Sequence, residues 1–193
     1  MELRDRILEA AIEVYAETGF RGATTRRIAE RAGVNEITLF RHFGSKSRLL
    51  QEAIKCCGFA ANLCELPERP AAPRAELREW AVVNHRAWFE RRSLIRTSMG
   101  EMEERPDLMP PDQSPTLCAG QALHGYLTRL QGAGLIDAGV DVSAATMMLM
   151  GTLFADAMSR DVVPAMYRKP AEETIEEYLA LFVRALDLKE PTQ

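Results

Sequence analysis

The chain has 193 residues, 47% of them hydrophobic and 27% charged, with a formal net charge of −4. That composition excludes a disordered or fibrous chain and gives room for one small unit and one larger core-bearing unit. No uninterrupted apolar run reaches the roughly 18 residues of a membrane span, and charges begin at Glu2 and Arg4, where a signal peptide needs an apolar stretch, so a cytoplasmic protein with no membrane partner is expected.

Leu3, Ile7, Leu8, Ala11, Ile12 and Tyr15 recur at helical spacing, with charged residues filling much of the opposite face. Gly19 is expected to end this first helix. Residues 24–48 then read as two short helices at a sharp angle and the start of a third. Thr24 or Thr25 would cap the first of them by accepting a hydrogen bond from an orphan backbone N–H, with Ile28, Ala29 and Ala32 on its inner face. Gly33 allows the tight turn, and Asn35 would cap the next helix, in which Leu39 and Phe43 face inward. Glu36, Ile37, Thr38, Arg41 and His42 are left largely outside. The pattern is a helix-turn-helix whose second helix is free to enter a DNA major groove. Ser45 would cap a fourth helix running through Leu49, Leu50, Ala53, Ile54, Cys57 and Ala61 toward Leu63.

Pro67, Pro70 and Pro73 make a stiff break. A fifth helix is expected over 75–91, with Leu77, Ala81, Asn84 and Trp88 on one stripe. Asn84 is the polar exception there, either satisfied by its neighbours or available to a ligand. A short helix over 94–104 contains Met99 and Met102, and 106–115 is a proline-rich loop. The next helix, 116–131, turns Leu117, Leu123, Leu127 and Leu130 inward. Residues 142–158 are apolar nearly all round, so part of that helix should pack on another subunit. After a break at 161–170, the last helix, 171–188, carries Ile175, Tyr178, Leu179, Phe182 and Leu186 on one stripe, widened by Leu181, Val183 and Ala185, with four glutamates at the end that the helix dipole favours.

Charge is unevenly placed along this order. Residues 21–48 hold seven basic side chains against two acidic ones, whereas 51–193 hold 15 basic and 21 acidic. A basic head on an acidic body suits a protein that meets phosphates at one end only.

The run G-x-T-T-R-R-I-A-E-R-A-G-V-N-x-x-T-L-F-R-H-F-G-S-K resembles the N-terminal domain of the TetR family of bacterial transcription regulators. The likeness covers about the first quarter of the chain. It implies an all-α fold: an N-terminal three-helix helix-turn-helix DNA-binding domain (1–48) plus a C-terminal helical ligand-binding and dimerisation domain (49–193). It also implies a homodimer through the last two long helices, a double-stranded DNA operator of palindromic form, and a small-molecule effector that releases DNA. In such proteins the fourth helix is the expected route of coupling between ligand and DNA. Carried onto matching positions, the resemblance places Thr25, Arg26 and Arg27 at the DNA with the caps Thr24 and Asn35, and gives Thr38, His42 and Lys46 to phosphates. Phe40 departs from the family, which often has tyrosine there to bind phosphate through its hydroxyl. Glu36 and Ile37 depart as well, from positions often basic and small. A carboxylate can accept from cytosine N4 and isoleucine can meet a thymine methyl, so Glu36, Ile37 and Arg41 are the expected base readers.

For the effector, Asn84, Trp88, Met99, Met102, Tyr126, Met150 and Phe154 are the candidate lining of a cavity for an apolar or aromatic molecule, each with plain core packing as its alternative. Cys56, Cys57, Cys64 and Cys118 show no CxxC spacing, and Cys57 and Cys64, about 10 Å apart along one helix face, are too far for a disulfide. His42, His85 and His124 show no zinc pattern, so no metal and no cofactor are expected. An enzyme is not expected, since no nucleophile elbow, phosphate loop or metal pair is present. The alternatives to a ligand-responsive regulator are a DNA-bound structural protein without a ligand and a thiol-redox regulator.

Overall fold

The computed structural model of the chain describes residues 2–58, 65–108 and 115–191, apart from the side chains of Cys57, Gly58 and Pro115. Among these the regular elements are all helical. They divide into two compact units, Met1–Ala61 with Arg91–Ser114, and Asn62–Glu90 with Pro115–Gln193.

In the first unit α1 (Leu3–Gly22) buries Ile7, Leu8, Ala11, Val14 and Tyr15 against α2 (Thr25–Ala32), α4 (Lys46–Ala53) and α6 (Arg92–Glu101), while α3 (Glu36–Phe43) contributes Leu39 and Phe43. The spacing of apolar residues on α1 dictates this, since one side of the helix must leave water. Gly19 interrupts α1 at φ 67° and ψ −179°, a combination open in practice to glycine only. A Cβ there would also lie 2.6 Å from Glu101 Oε1, the atom that accepts from the Phe20 backbone N–H. The last turn of α6 is thus tied to the bend where α1 turns toward α2. A π-helical turn, Ile54–Gly58, follows α4. The expected continuation of the fourth helix toward Leu63, and the far part of the proline-rich loop, 109–114, lie outside the described residues.

The second unit holds α5 (Pro73–Glu90), α7 (Pro115–Gly132), α8 (Val142–Ser159) and α9 (Ala171–Ala185), with a 3-10 turn at Pro164–Met166. Helix α5 starts at Pro73, earlier than the expected residue 75, because proline fits a first turn whose N–H has no partner in any case. Its start is closed by Glu76, which accepts from Ala71 N and Ala72 N at 2.9 Å and from the Tyr126 hydroxyl on α7. Leu77, Trp80, Ala81, Asn84 and Trp88 are buried from α5, and Leu123, Leu127 and Leu130 from α7. Leu117, expected inward, is 42% exposed: it sits on the first turn of α7, beside a groove that no described side chain fills.

Helix α8 has 18 residues and a mean hydropathy of 1.2, enough in length and composition to cross a membrane, a property that core helices share. One side carries Ala145, Leu149, Met150, Leu153 and Ala157 into the unit. Asp156 goes with them at 1% exposure and is paired three times: His85 Nε2 at 2.7 Å, Arg160 at 2.9 and 2.7 Å, and the Tyr178 hydroxyl at 3.1 Å. A buried carboxylate survives only with such partners. Burial pushes its pKa up, but the hydrogen bonds from His85 and Arg160 and the arginine charge outweigh that and hold it below 3.8. This network ties α5, α8 and α9 together.

The other side of α8 leaves Met147 and Met148 at 69% and 64% exposure, in line with Gly151, Thr152 and Ala155. On α9, Ile175, Leu179, Phe182 and Val183 are buried, whereas Leu181, expected to widen the inner stripe, is 62% exposed and Ala185 is exposed too. Leu181 sits on the opposite face from Leu179, with Ala185 one turn further along at the flank, so α9 has an apolar patch besides the face it buries among the described residues.

Candidate functional site

Each helix of the turn motif is closed by the side chain expected to close it. Thr24 Oγ1 accepts from Arg27 N at 3.3 Å, Asn35 Oδ1 from Ile37 N at 2.9 Å, and Ser45 Oγ from Arg48 N at 3.2 Å. Between α2 and α3, Gly33 stands at φ 66°. Its N–H bonds Glu30 O, and the Val34 N–H bonds Ala29 O at 3.0 Å, the paired closure that a left-handed residue makes possible. Arg6 on α1 adds a bond to Ala32 O at 2.7 Å, a contact the sequence did not announce.

With α2 and α3 fixed this way, Ile37, Phe40 and Arg41, spaced i, i+3, i+4, share the outer face of α3. Ile37 is 68% and Phe40 49% exposed, and Arg41 and His42 are exposed as well. Neither Arg41 nor Arg48 makes an ion pair among the described residues. Thr24, Arg26, Arg27 and Asn35 are also exposed, and Thr38 is half-buried. Arg26 pairs with Glu30 at 3.0 Å across one helical turn, an exposed contact that gives way easily. Arg31 is engaged by Glu13 and Glu17 on α1 and so holds α2 to α1.

Two of the expected contact residues have partners within the chain. The Thr25 hydroxyl donates to Glu36 Oε1, joining the start of α2 to the start of α3. The Glu36 carboxylate therefore serves the geometry of the turn through one of its oxygens. Lys46 donates to Phe20 O at 2.8 Å, and its ammonium lies 4.0 Å from the centre of the Phe20 ring, which Arg105 approaches at the same distance. Partial burial first, and then the nearby Arg105 charge, lower the Lys46 pKa.

In the second unit, α7 and α8 border an open groove of about 460 Å³, walled by Leu117, Gly120, Met147, Met150, Gly151 and Phe154, with His124 and Ser143 3.3 Å apart at its edge. Met150 and Phe154, two of the residues named for an effector cavity, are among its walls. Trp88 stands edge-on to Phe154 with ring centres 5.7 Å apart, and Asn84 lies one turn before it on α5. Tyr126 is fully buried with its hydroxyl given to Glu76. Met99 and Met102 are not brought to this groove; they belong to the first unit and are 52% and 44% exposed. Leu117 and Met147 were missed as wall residues. The available signal was glycine inside these helices, which costs about 1 kcal/mol against alanine: α7 carries Gly120 and Gly125 in its interior and α8 Gly151, and a Cβ on Gly151 would meet nothing within 4 Å and one on Gly120 only Met150 Cε at 3.8 Å.

Cys56 and Cys118 are exposed free thiols, while Cys64 and the Cys57 side chain lie outside the described residues. No cluster of metal-ligating side chains occurs among the described residues.

A capped α2, a left-handed glycine turn and a protruding α3 with a basic rim define a helix-turn-helix DNA-binding protein. Residues 7–53 match the family model described as bacterial regulatory proteins, tetR family. Along 94% of its length the chain is 27% identical to YvkB of Bacillus subtilis, an HTH-type transcriptional regulator, of which it covers 95%. Over 55 residues it is 33% identical to IcaR of Staphylococcus aureus, the negative transcriptional regulator of a biofilm operon; that match covers 28% of this chain and 30% of IcaR. The solved structure of the TetR-family regulator PfmR from Thermus thermophilus superposes with a TM-score of 0.69 at 23% identity, covering 100% of this chain and 99% of that one. The first quarter of the chain thus carries the DNA-binding domain of the tetR family, and the whole chain has the fold of TetR-family regulators.

Proposed function

We propose that this protein is a cytoplasmic repressor that binds a palindromic operator as a homodimer and is released by a small apolar or aromatic effector. The observation that carries the DNA part is the outer face of α3. Ile37, Phe40 and Arg41 project together from a helix whose ends are closed and whose neighbours Arg26 and Arg27 stand exposed beside it. Arg41 is the basic reader, Ile37 the contact for a thymine methyl, and Glu36, once its bond to Thr25 is shared or released, an acceptor for cytosine N4. Thr25, Thr38 and His42 meet phosphate, and Phe40 packs on sugar or base where a tyrosine hydroxyl would have bonded phosphate. Lys46 adds to phosphate binding after leaving Phe20 O. Repression follows the direction of IcaR, a negative regulator and the relative matched over the head.

Residues 1–48 would then carry DNA reading and 49–193 effector binding and dimerisation. Support for the dimer is the exposed apolar stripe of α8 with Leu181 of α9, which a two-fold partner would cover. Support for the effector is the groove between α7 and α8, whose size and apolar walls suit a small molecule. Mapping the DNA bound across a genome and then screening candidate molecules for release from the recovered sites tests the whole reading. Recovered sites sharing an inverted repeat, and release by an apolar molecule, are the expected result. Binding without sequence preference would leave a structural DNA-binding protein, and release by oxidant alone would leave a thiol switch.

A further inference from the structure

Helix α5 carries an irregularity that the fold does not explain. Trp80, Asn84 and Trp88 stand at i, i+4 and i+8, so they share one face in steps of about 6 Å. They are 0%, 0% and 2% exposed. The Asn84 amide donates to Trp80 O at 2.8 Å, but Asn84 Oδ1, Trp80 Nε1 and Trp88 Nε1 have no hydrogen-bond partner. Buried polar atoms are rarely left so, and each is costly to leave unmade. The same helix satisfies its other buried polar side chain fully, His85 being bonded to Asp156 and through it to Arg160 and Tyr178. Ser98 Oγ, Glu101 Oε2 and Arg129 Nε are unpaired too, but the α5 stripe gathers three such atoms on one helix face, and it runs up to Trp88, against Phe154, a wall of the groove.

We infer that the effector site extends from the groove past Phe154 to α5 and takes a neutral apolar molecule bearing a hydroxyl, an alcohol or a phenol. The inference rests on the groove being the effector site. A hydroxyl oxygen accepts from Trp88 Nε1–H while its hydrogen goes to Asn84 Oδ1, so one group satisfies both orphans. A carboxylate can do only the first; it would face the amide oxygen lone pairs, and the stripe Leu77, Trp80, Ala81, Asn84, Trp88 offers it no cation. A pure hydrocarbon would leave both atoms unpaired. The Trp80 indole, two turns before Trp88, is a further donor for a longer ligand. The apolar remainder lies along Met150, Leu117 and Met147, and the inference requires the ring of Phe154 to turn aside so that the groove opens to the stripe.

The test uses the full chain and three probes that share one propylphenyl body: 4-propylphenol, propylbenzene and 4-propylbenzoate. Binding is followed by calorimetry, and the two indole N–H signals of the chain, which has only two tryptophans, by ¹⁵N-correlated NMR. The phenol is expected to bind at least tenfold tighter than either other probe and to shift the Trp88 indole proton, assigned with Trp88→Phe. In Asn84→Leu, checked for folding by its melting curve, that preference should fall to about twofold; Trp88→Phe serves as the second variant and should reduce it likewise. Equal binding of phenol and propylbenzene by the unaltered protein, or a preference that survives both substitutions, overturns the inference and leaves the orphans to water, with the groove still an effector site. Failure of all three probes to bind, together with no change in effector response in Gly151→Leu, which fills open groove space, overturns the groove as effector site and the inference with it.

Discussion

At the rim of the DNA-reading head Thr24, Asn35 and Ser45 each spend a side-chain oxygen on a backbone N–H, whereas on α5 Asn84, Trp80 and Trp88 are turned inward with polar atoms unpaired. The head is small, so its helices of eight residues hold shape only if their ends are closed and one face is buried. The second unit has longer helices and a larger core, and can keep polar groups inside. Among them are the satisfied cluster around Asp156 and the unsatisfied stripe on α5. Polar side chains in the turn motif close helix ends that would otherwise fray, while in the second unit a buried polar side chain is stable only where its partners lie on other helices, as around Asp156.

That comparison can be broken first at Asp156. Asp156→Ala should cost about 3–5 kcal/mol, because His85 and Arg160 would be left without the buried charge that pairs them, and the loss is read from denaturant melts. The pH dependence follows the same sign. A carboxyl whose folded pKa lies below its unfolded value contributes stability above about pH 4, and that contribution disappears as pH falls through the folded pKa. The acid limb of the stability curve should therefore flatten in Asp156→Asn, and an unaltered limb would mean that the cluster is not what α5, α8 and α9 depend on.

Next in size is the surface the second unit leaves open. Leu181→Glu and Met147→Glu alter side chains 62% and 69% exposed, so the monomer should fold unchanged while the dimer constant weakens at least tenfold by sedimentation. In the head, Arg41→Ala should weaken operator binding by about 1–3 kcal/mol and relax preference at one base pair. Lys46→Gln should weaken all sequences alike and by less, because its ammonium already has Phe20 O as a partner; titrations against salt separate the two. Thr24→Ala, which removes a cap and touches little else, should cost about 1 kcal/mol of stability.

Much of the head was legible in the sequence because its rules are local. Caps, a turn glycine and inward Leu39 and Phe43 follow from spacing alone. What escaped was the role of side chains whose partners lie far along the chain: Glu36 on Thr25, Lys46 on Phe20, Arg6 on Ala32. In the second unit the helices were legible, but which apolar residue faces which neighbour was not. Leu117 and Leu181 fit inward stripes by period and yet stand exposed, and Met99 and Met102 belong to the other unit, since methionine on a helix says nothing about where the helix goes. Asn84 was visible as an exception; the unpaired state of its oxygen was not.

On the proposed reading, α3 of a two-fold dimer reads DNA through Ile37, Phe40 and Arg41. Selection of binding sites from a fully random DNA pool, run with the unaltered protein and with Ile37→Ser, tests it most directly. The account predicts an enriched inverted repeat whose half-sites lie about one helical turn or a multiple apart, with a changed preference in both half-sites for the variant. No enriched repeat, or the same repeat at the same strength from both proteins, would contradict it.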